Sequence, residues 1–423
     1  MKIKTVQANW DKVSAAPRPA RFKPKKPNLF FRTLMRAASG PDLRAVRFTY
    51  TDDVPEDVKD LPCLILMNHS SFTDLEIVSR ILYPKPYGIV CTADGLVGKK
   101  WLMRNLGCIP TQKFVSDITL VKDIRRALRE QEMSVLMYPE ASYSFDGTAT
   151  GLPDSLGGLV RMLDVPVIMI RTEGAFARDP LYNCLQKRDV TVTAHVSLLM
   201  DTDRIRALSA DEINAALREA FDYDHFAWQR DRKVAVPEPF RADGLHRILY
   251  KCPVCGAEGQ TEGQGTTLTC RACGQSWVMD EYGQLSAVTG GTRFAHVPDW
   301  YAWERACVRE ELEDGTYLLD VPVKIGVVQD YKAVYMVGTG RLIHNADGFR
   351  LTGCDGKLTY IRKPLASYSL YADYYWYELG DVIIIGDNDR QFCCFPPDGT
   401  PVAKARLAAE ELYKMVRETR RHS

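Results

Sequence analysis

Between residues 63 and 200 short apolar runs alternate with amphipathic ones, and no other feature of the chain constrains its fold as tightly. Cys63–Met67, Tyr87–Thr92, Ser134–Tyr138, Val165–Arg171 and Val190–Leu199 have the length and β-branched content of buried strands. Helical spacing of apolar residues lies between them, near Asp74–Leu82, Lys99–Leu106 and Asp117–Glu130. Alternation of this kind predicts an α/β unit, a sheet flanked by helices. Ser209 and Glu212 form a capping box that opens a further helix, expected to end near Gln229 with His225 as a helix-end histidine on its last turn. The proline-bearing stretch Val234–Pro239 then reads as a linker, so the first domain is expected over residues 45–240.

His69 and Asp74 come directly after the first strand candidate, with Asn68 marking the turn. Open α/β sheets place ligands at the carboxyl ends of strands. An imidazole there titrates near neutrality and can take a proton from a hydroxyl, while a nearby carboxylate fixes its tautomer. By itself a His and an Asp at short spacing is a common coincidence. Three further blocks, in a fixed order along the chain, make it specific: Gly107-Cys108-Ile109-Pro110, then Tyr138-Pro139-Glu140-Ala141-Ser142-Tyr143-Ser144, then Val165-Pro166-Val167-Ile168.

These four blocks resemble the signature of the glycerolipid acyltransferases, the family that includes lysophosphatidic acid acyltransferase, over about residues 45–200. The resemblance implies an acyltransferase domain that moves a fatty acyl group from a thioester donor, acyl-coenzyme A or acyl carrier protein, to a hydroxyl of a lysophospholipid or related glycerolipid. It implies His69 as general base with Asp74 as its orienting partner. It also implies acceptor-binding roles for Gly107, Ile109, Pro110, Lys113, Pro139, Glu140 and Tyr143, with Glu140 expected to hydrogen-bond acceptor hydroxyls. No Gly-x-Ser-x-Gly elbow occurs, which argues against an acyl-enzyme route, and Cys63, Cys91 and Cys108 read as buried thiols.

Two positions depart from the family pattern. Lys113 stands where the second block ends in Arg, and Ala141-Ser142-Tyr143 replaces Gly-Thr-Arg in the third. In the family that arginine is held to grip the acceptor's phosphate, and a planar guanidinium fork suits phosphate better than a phenol does. Lys113, Arg161 or Arg171 remain as sources of positive charge. Acyl transfer is therefore better supported than a lysophosphatidate acceptor. The other reading is a catalytically weak lipid-binding or scaffolding protein that keeps the fold.

Charge is concentrated at the start. Eight Lys or Arg and no acid lie between Lys12 and Pro41, among them Arg18, Arg21, Lys25, Lys26, Arg32 and Arg36, with Pro17, Pro19, Pro24 and Pro27 keeping the chain extended. Leu29, Phe30, Phe31, Leu34 and Met35 then form an apolar stripe at helical spacing. Residues 1–44 are expected as a basic, amphipathic segment suited to an anionic membrane surface, where each cation contributes roughly 1 kcal/mol. The competing expectation is that the stripe packs on the catalytic domain. A net charge of +1 over 423 residues argues against a nucleic-acid partner, and no run of about 18 apolar residues exists to span a bilayer. The N-terminal residues lack a signal-peptide core, so a cytoplasmic location, peripheral on the inner membrane face, is expected.

Cys252-Pro253-Val254-Cys255-Gly256 and Cys270-Arg271-Ala272-Cys273-Gly274 are two knuckles separated by 14 residues. This looks like a zinc ribbon over residues 245–285, with a closed four-sulfur site of structural type. Only Lys251 and Arg271 lie near the knuckles, too few for a nucleic-acid patch. Residues 298–423 change character again. A helix near Asp299–Leu312 precedes strand-like runs at Tyr317–Val328, Ala333–Gly338, Arg341–Asn345, Leu358–Arg362, Tyr368–Leu379 and Val382–Ile385. A last helix runs from Val402 to about Arg420. This β-rich order resembles a pleckstrin-homology-like barrel, and the tyrosine-rich run Tyr368–Tyr377 is expected as core and sheet face.

Overall fold

The computed structural model describes residues 2–17 and 21–422, so Arg18 and Pro19 of the basic run lie outside the described residues. The first unit is built on a seven-stranded sheet in the order Thr49–Asp52, Thr193–Met200, Val167–Glu173, Leu64–Met67, Ser134–Met137, Tyr87–Thr92, Cys108–Thr111. The last five of these run parallel, and Val167–Glu173 pairs antiparallel with Thr193–Met200, which makes the sheet mixed. All four residues of Leu64–Met67 are buried. Successive strand side chains point to opposite faces, so Ile65 and Met67 join one core with Leu43 and Ile77, while Leu64 and Leu66 join another with Ile124 and Leu163.

This topology places the site. Leu64–Met67 and Ser134–Met137 are hydrogen-bonded parallel neighbours, so the turns at their carboxyl ends lie side by side at one sheet edge. The loops after Tyr87–Thr92 and Cys108–Thr111 reach the same edge.

The N-terminal stretch is laced into the molecule. Thr5–Gln7 pairs in parallel with Val334–Met336 of the C-terminal sheet. Arg21 bonds Asp117, Asp123 and the Pro110 carbonyl, Lys25 donates to Asn105 at 2.6 Å, and Lys26 donates to the Gln131 carbonyl at 2.9 Å. Of the basic, amphipathic segment expected over residues 1–44, part of the charge is thus held by internal partners. Helix Leu29–Ala45 splits the expected stripe, burying Phe31 and Leu43 and leaving Leu29, Phe30 and Leu34 exposed.

The helix expected to reach Gln229 stops at Phe221, and a second one, His225–Asp231, starts where Asp224 accepts from the Ala227 N–H. His225 is therefore at a helix start, and it is buried against Phe176 and Trp228 rather than lying at a surface end. Four short antiparallel strands, Thr261–Gln264, Thr267–Cys270, Ser276–Met279 and Leu285–Ala287, carry the cysteine knuckles.

The C-terminal unit is an antiparallel sheet in the order Leu358–Arg362, Gly348–Gly353, Val334–Asn345, Leu319–Val328, Gln391–Phe395, Val382–Gly386, Tyr371–Asp373. Its final helix, Val402–His422, packs on helix Val297–Glu313. Two expected strands fuse into Val334–Asn345, because a bulge opposite Ile325/Gly326 lets the chain continue through Gly338 at φ 138°. Only Tyr371–Asp373 of the tyrosine-rich run is strand, and it leads into a 3₁₀ turn, Trp376–Glu378. That turn faces the first unit and lines a cavity; Tyr371, Tyr374 and Trp376 are buried in the core as expected, but the sheet face ends at Asp373.

Candidate active site

At the carboxyl end of Leu64–Met67 the Asn68 side chain clamps the neighbouring strand, accepting from the Thr172 N–H at 2.8 Å and donating to the Thr172 carbonyl at 3.2 Å. His69 is thereby fixed as the first residue past the sheet. Its Nδ1 lies 2.9 Å from Asp74 Oδ2, and the same oxygen accepts the Ser70 and Ser71 N–H groups at 2.9 and 3.1 Å. Asp74 opens helix Asp74–Leu82, where a carboxylate is favoured by the free N–H groups. With Asp74 Oδ2 accepting the hydrogen bond of Nδ1–H, Nε2 is left bare as an acceptor. Burial pulls the His69 pKa below 6.5, against the opposing pull of Asp74, so the ring is neutral at neutral pH.

Two phenols sandwich the imidazole. Tyr138 stacks on one side with ring centroids 4.1 Å apart, and Tyr143 stacks at 4.0 Å, itself covered by Phe72 at 5.2 Å. Tyr143, the residue that replaces the family arginine, is thus a wall of the histidine pocket. Ala141 has φ 57°, the left-handed region where glycine is free and a Cβ is strained.

Glu140 does not face the cavity. Its Oε2 accepts the His69 N–H at 2.8 Å, and its Oε1 accepts the Thr150 N–H at 2.8 Å and hydroxyl at 3.2 Å. It ties the first and third blocks together, and burial, outweighing those hydrogen bonds, pushes its pKa up to about 7. Gly107 and Ile109 do not line the cavity either: a Cβ on Gly107 would lie 2.6 Å from the Tyr87 carbonyl, and Ile109 is fully buried. Pro110 is buried in the same strand. Pro139, Lys113 and Tyr143 do line the cavity with His69. Arg171 instead donates to the Asp222 carbonyl, and exposed Arg161 is not among the lining residues; the arginine that reaches the cavity is Arg178, ion-paired with Asp42 and Asp179.

The cavity measures about 1210 Å³. One wall is apolar, with Leu120, Val121, Met137, Leu156, Leu159 and Met162. The roof comes from the C-terminal unit. Tyr371 and Tyr377 both donate to Asp94 Oδ2, at 3.0 and 3.1 Å, and Trp376 Nε1 donates to the Tyr371 hydroxyl at 3.1 Å. Lys113 Nζ sits 4.0 Å from the Tyr371 ring centroid, and burial lowers its pKa. Sequence reasoning missed Asp94, Tyr371, Asp373 and Tyr377, since no local motif marks residues that meet only across two domains.

In the second constellation the sulfurs of Cys252, Cys255, Cys270 and Cys273 lie within 4.8 Å of one another, with Cys252–Cys273 and Cys255–Cys270 both at 3.8 Å. Four thiolates about 2.3 Å from a central zinc would stand roughly 3.8 Å apart, so the spacing fits a tetrahedral ion. Gly256 and Gly274, at φ 75° and 76°, donate to the Cys252 and Cys270 carbonyls and close the two knuckles.

The strand-end His–Asp pair and the three later blocks thus lie together on one mixed α/β sheet. Residues 45–172 match the family model described as Acyltransferase. Among solved structures the chain is similar to the crystal structure of the 1-acyl-sn-glycerophosphate (LPA) acyltransferase PlsC from Thermotoga maritima. The two are 12% identical with a TM-score of 0.37, over 45% of this chain and 78% of that one. No curated protein matches.

Proposed function

We propose that this protein is an O-acyltransferase that moves a fatty acyl group from a thioester, of coenzyme A or acyl carrier protein, to a hydroxyl of a lysophospholipid or related glycerolipid. The observation that carries this reading is the His69–Asp74 pair, 2.9 Å apart, beside a large cavity with one apolar wall. His69 Nε2 takes the proton of the acceptor hydroxyl as its oxygen attacks the thioester carbonyl. The tetrahedral oxyanion collapses, the C–S bond breaks, and the thiol leaves with the proton held by the imidazolium. Asp74 holds the tautomer and stabilises that cation. The apolar wall suits an acyl chain. Tyr143 in place of arginine favours an acceptor other than lysophosphatidate, because a neutral phenol offers one donor where a guanidinium offers a charged fork.

Thiol release from acyl-coenzyme A and acyl carrier protein thioesters, measured with a lysolipid panel and beside His69→Ala, tests the reading. Acceptor-dependent release lost in the variant supports it, and release unchanged in the variant refutes it.

The four-cysteine cluster we read as a structural zinc site, since four closed ligands leave no position for substrate. No helix among the described residues is long and apolar enough to cross a membrane. Docking on an anionic membrane surface is favoured by exposed Phe30 and Trp101, both in ring contact with Phe31, beside Lys100 and Arg104. Strand order and the closing helix support the pleckstrin-homology-like reading of the C-terminal unit.

A further inference from the structure

The end of the cavity beneath the C-terminal roof is rich in hydrogen-bond acceptors. Asp94 is 3% exposed, and while its Oδ2 takes two tyrosine hydroxyls, its Oδ1 has no partner among the described residues. The Gln112 Oε1 is also buried without a partner, and both residues line the cavity. Asp373, 9% exposed, enters from the roof and accepts the Tyr374 N–H at 2.9 Å. Burial pushes its pKa up to about 7. The cation here, Lys113, is covered on one side by the Tyr371 ring and feels the charges of both Asp94 and Asp373. A phosphate monoester placed in this corner meets two carboxylates for one ammonium, since nearby Arg406 is paired with Glu410, and leaves the orphan acceptors unmatched. A group that brings O–H or N–H donors matches them, and an unmatched buried acceptor is costly.

We propose that the acceptor's head binds between the two domains, held by Asp94, Gln112 and Lys113 from the sheet edge and by Tyr371 and Asp373 from the roof, and that it is a donor-rich head, bearing hydroxyls or an ammonium, rather than a phosphate monoester. This assignment rests on the acyl-transfer reading for what happens to the bound head, not for the binding itself. The C-terminal unit is then half of the acceptor site and sets which lipid is acylated. Asp373 is a specificity-determining residue. Hydroxyl and ammonium heads share the chemistry required, and the experiment separates them.

The test uses the full chain and three acceptors with one acyl tail: monoacylglycerol for hydroxyls, lysophosphatidylethanolamine for an ammonium, and lysophosphatidate for a phosphate monoester. Binding of each is measured by titration calorimetry on His69→Ala protein, with and without Asp373→Asn or Gln112→Met. Transfer kinetics are measured on the wild type and on the two single variants. At least one donor-bearing lipid is expected to bind more tightly than lysophosphatidate. Asp373→Asn should weaken that lipid about 10–150-fold, the range for a hydrogen bond to a charged group. In turnover the loss should fall on KM with kcat little changed. Gln112→Met lies in the other domain and should shift the same lipid in the same direction, which guards against a folding defect in one variant; unchanged melting checks both. Tightest binding of lysophosphatidate, or equal binding of all three lipids by every variant, overturns the proposal. Selective binding without transfer by the wild type leaves the head site standing and refutes acyl transfer instead.

Discussion

The ring of Tyr143 lies on the ring of His69, centroids 4.0 Å apart and planes at 29°, so the residue that departs most from the family block is in contact with the proposed base. Aromatic contacts of this kind contribute about 0.5–1.5 kcal/mol beyond their buried area. Tyr143→Phe should keep most of the activity, since the stack survives. Tyr143→Ala should lower kcat up to about tenfold by loosening the imidazole. Steady-state kinetics on the pair decides it: an inactive Tyr143→Phe would show that the hydroxyl, not the ring face, matters.

His69→Ala should lower the rate by about 10²–10⁴-fold, the usual reach of general-base catalysis, with the melting temperature near wild type. The pH profile carries the sign. Nε2 must be unprotonated, and burial holds the His69 pKa below 6.5. At saturating acceptor kcat should therefore be level through neutrality and fall as pH drops through that lowered value. Asp74→Asn removes the anion that favours the protonated ring, so the acid limb should move lower still while the plateau drops. An acid limb above pH 7 would contradict the assignment.

His225 gives a stability prediction. Burial pushes its folded pKa down to about 3, from 6.5. Between those values the unfolded chain binds a proton that the native state does not, so this group's contribution falls as pH drops from 6.5 toward 3. His225→Gln should flatten the acid slope of stability in that window relative to wild type. Denaturant titrations at several pH values measure it, and parallel slopes would refute it.

One zinc per chain is expected at Cys252, Cys255, Cys270 and Cys273. Structural zinc in small peptides is worth on the order of 10 kcal/mol, so Cys270→Ser or chelation should loosen residues near 245–285 first. Metal analysis with limited proteolysis reads both; a fully folded protein holding well under half an equivalent of metal counts against the site.

Ala141→Gly should stabilise the protein by about 1 kcal/mol, because the left-handed backbone there strains a Cβ and does not strain glycine. A melting temperature below wild type would mean that the alanine methyl's packing outweighs the relieved strain.

Local features were legible in the sequence. Apolar periodicity located the strands Leu64–Met67, Tyr87–Thr92 and Ser134–Met137 and the helices between them, and the order of the four blocks, more than the spacing itself, singled out His69 with Asp74. The short strand Cys108–Thr111 and the exposed edge Thr49–Asp52 carried too little periodicity to be read. Gly338 looked like a strand end because a glycine in a bulge and a glycine in a turn read alike. Glu140 was assigned to substrate because its position beside His69 was legible and its orientation, toward the His69 and Thr150 N–H groups, was not. Asp94 and Asp373 were invisible for a different reason: 279 positions separate them along the chain, and only tertiary folding makes them neighbours of Lys113.

Thr5–Gln7 is woven into the sheet that also holds Val334–Met336, while the residues after it run along the first unit before that unit's own sheet begins. The roof is consequently tied to the first unit by the chain behind it and by this strand in front, besides the core the two units share. Cutting the chain near Val234–Pro239 should leave the two fragments clasped together, like a hinged lid whose strap is still buckled.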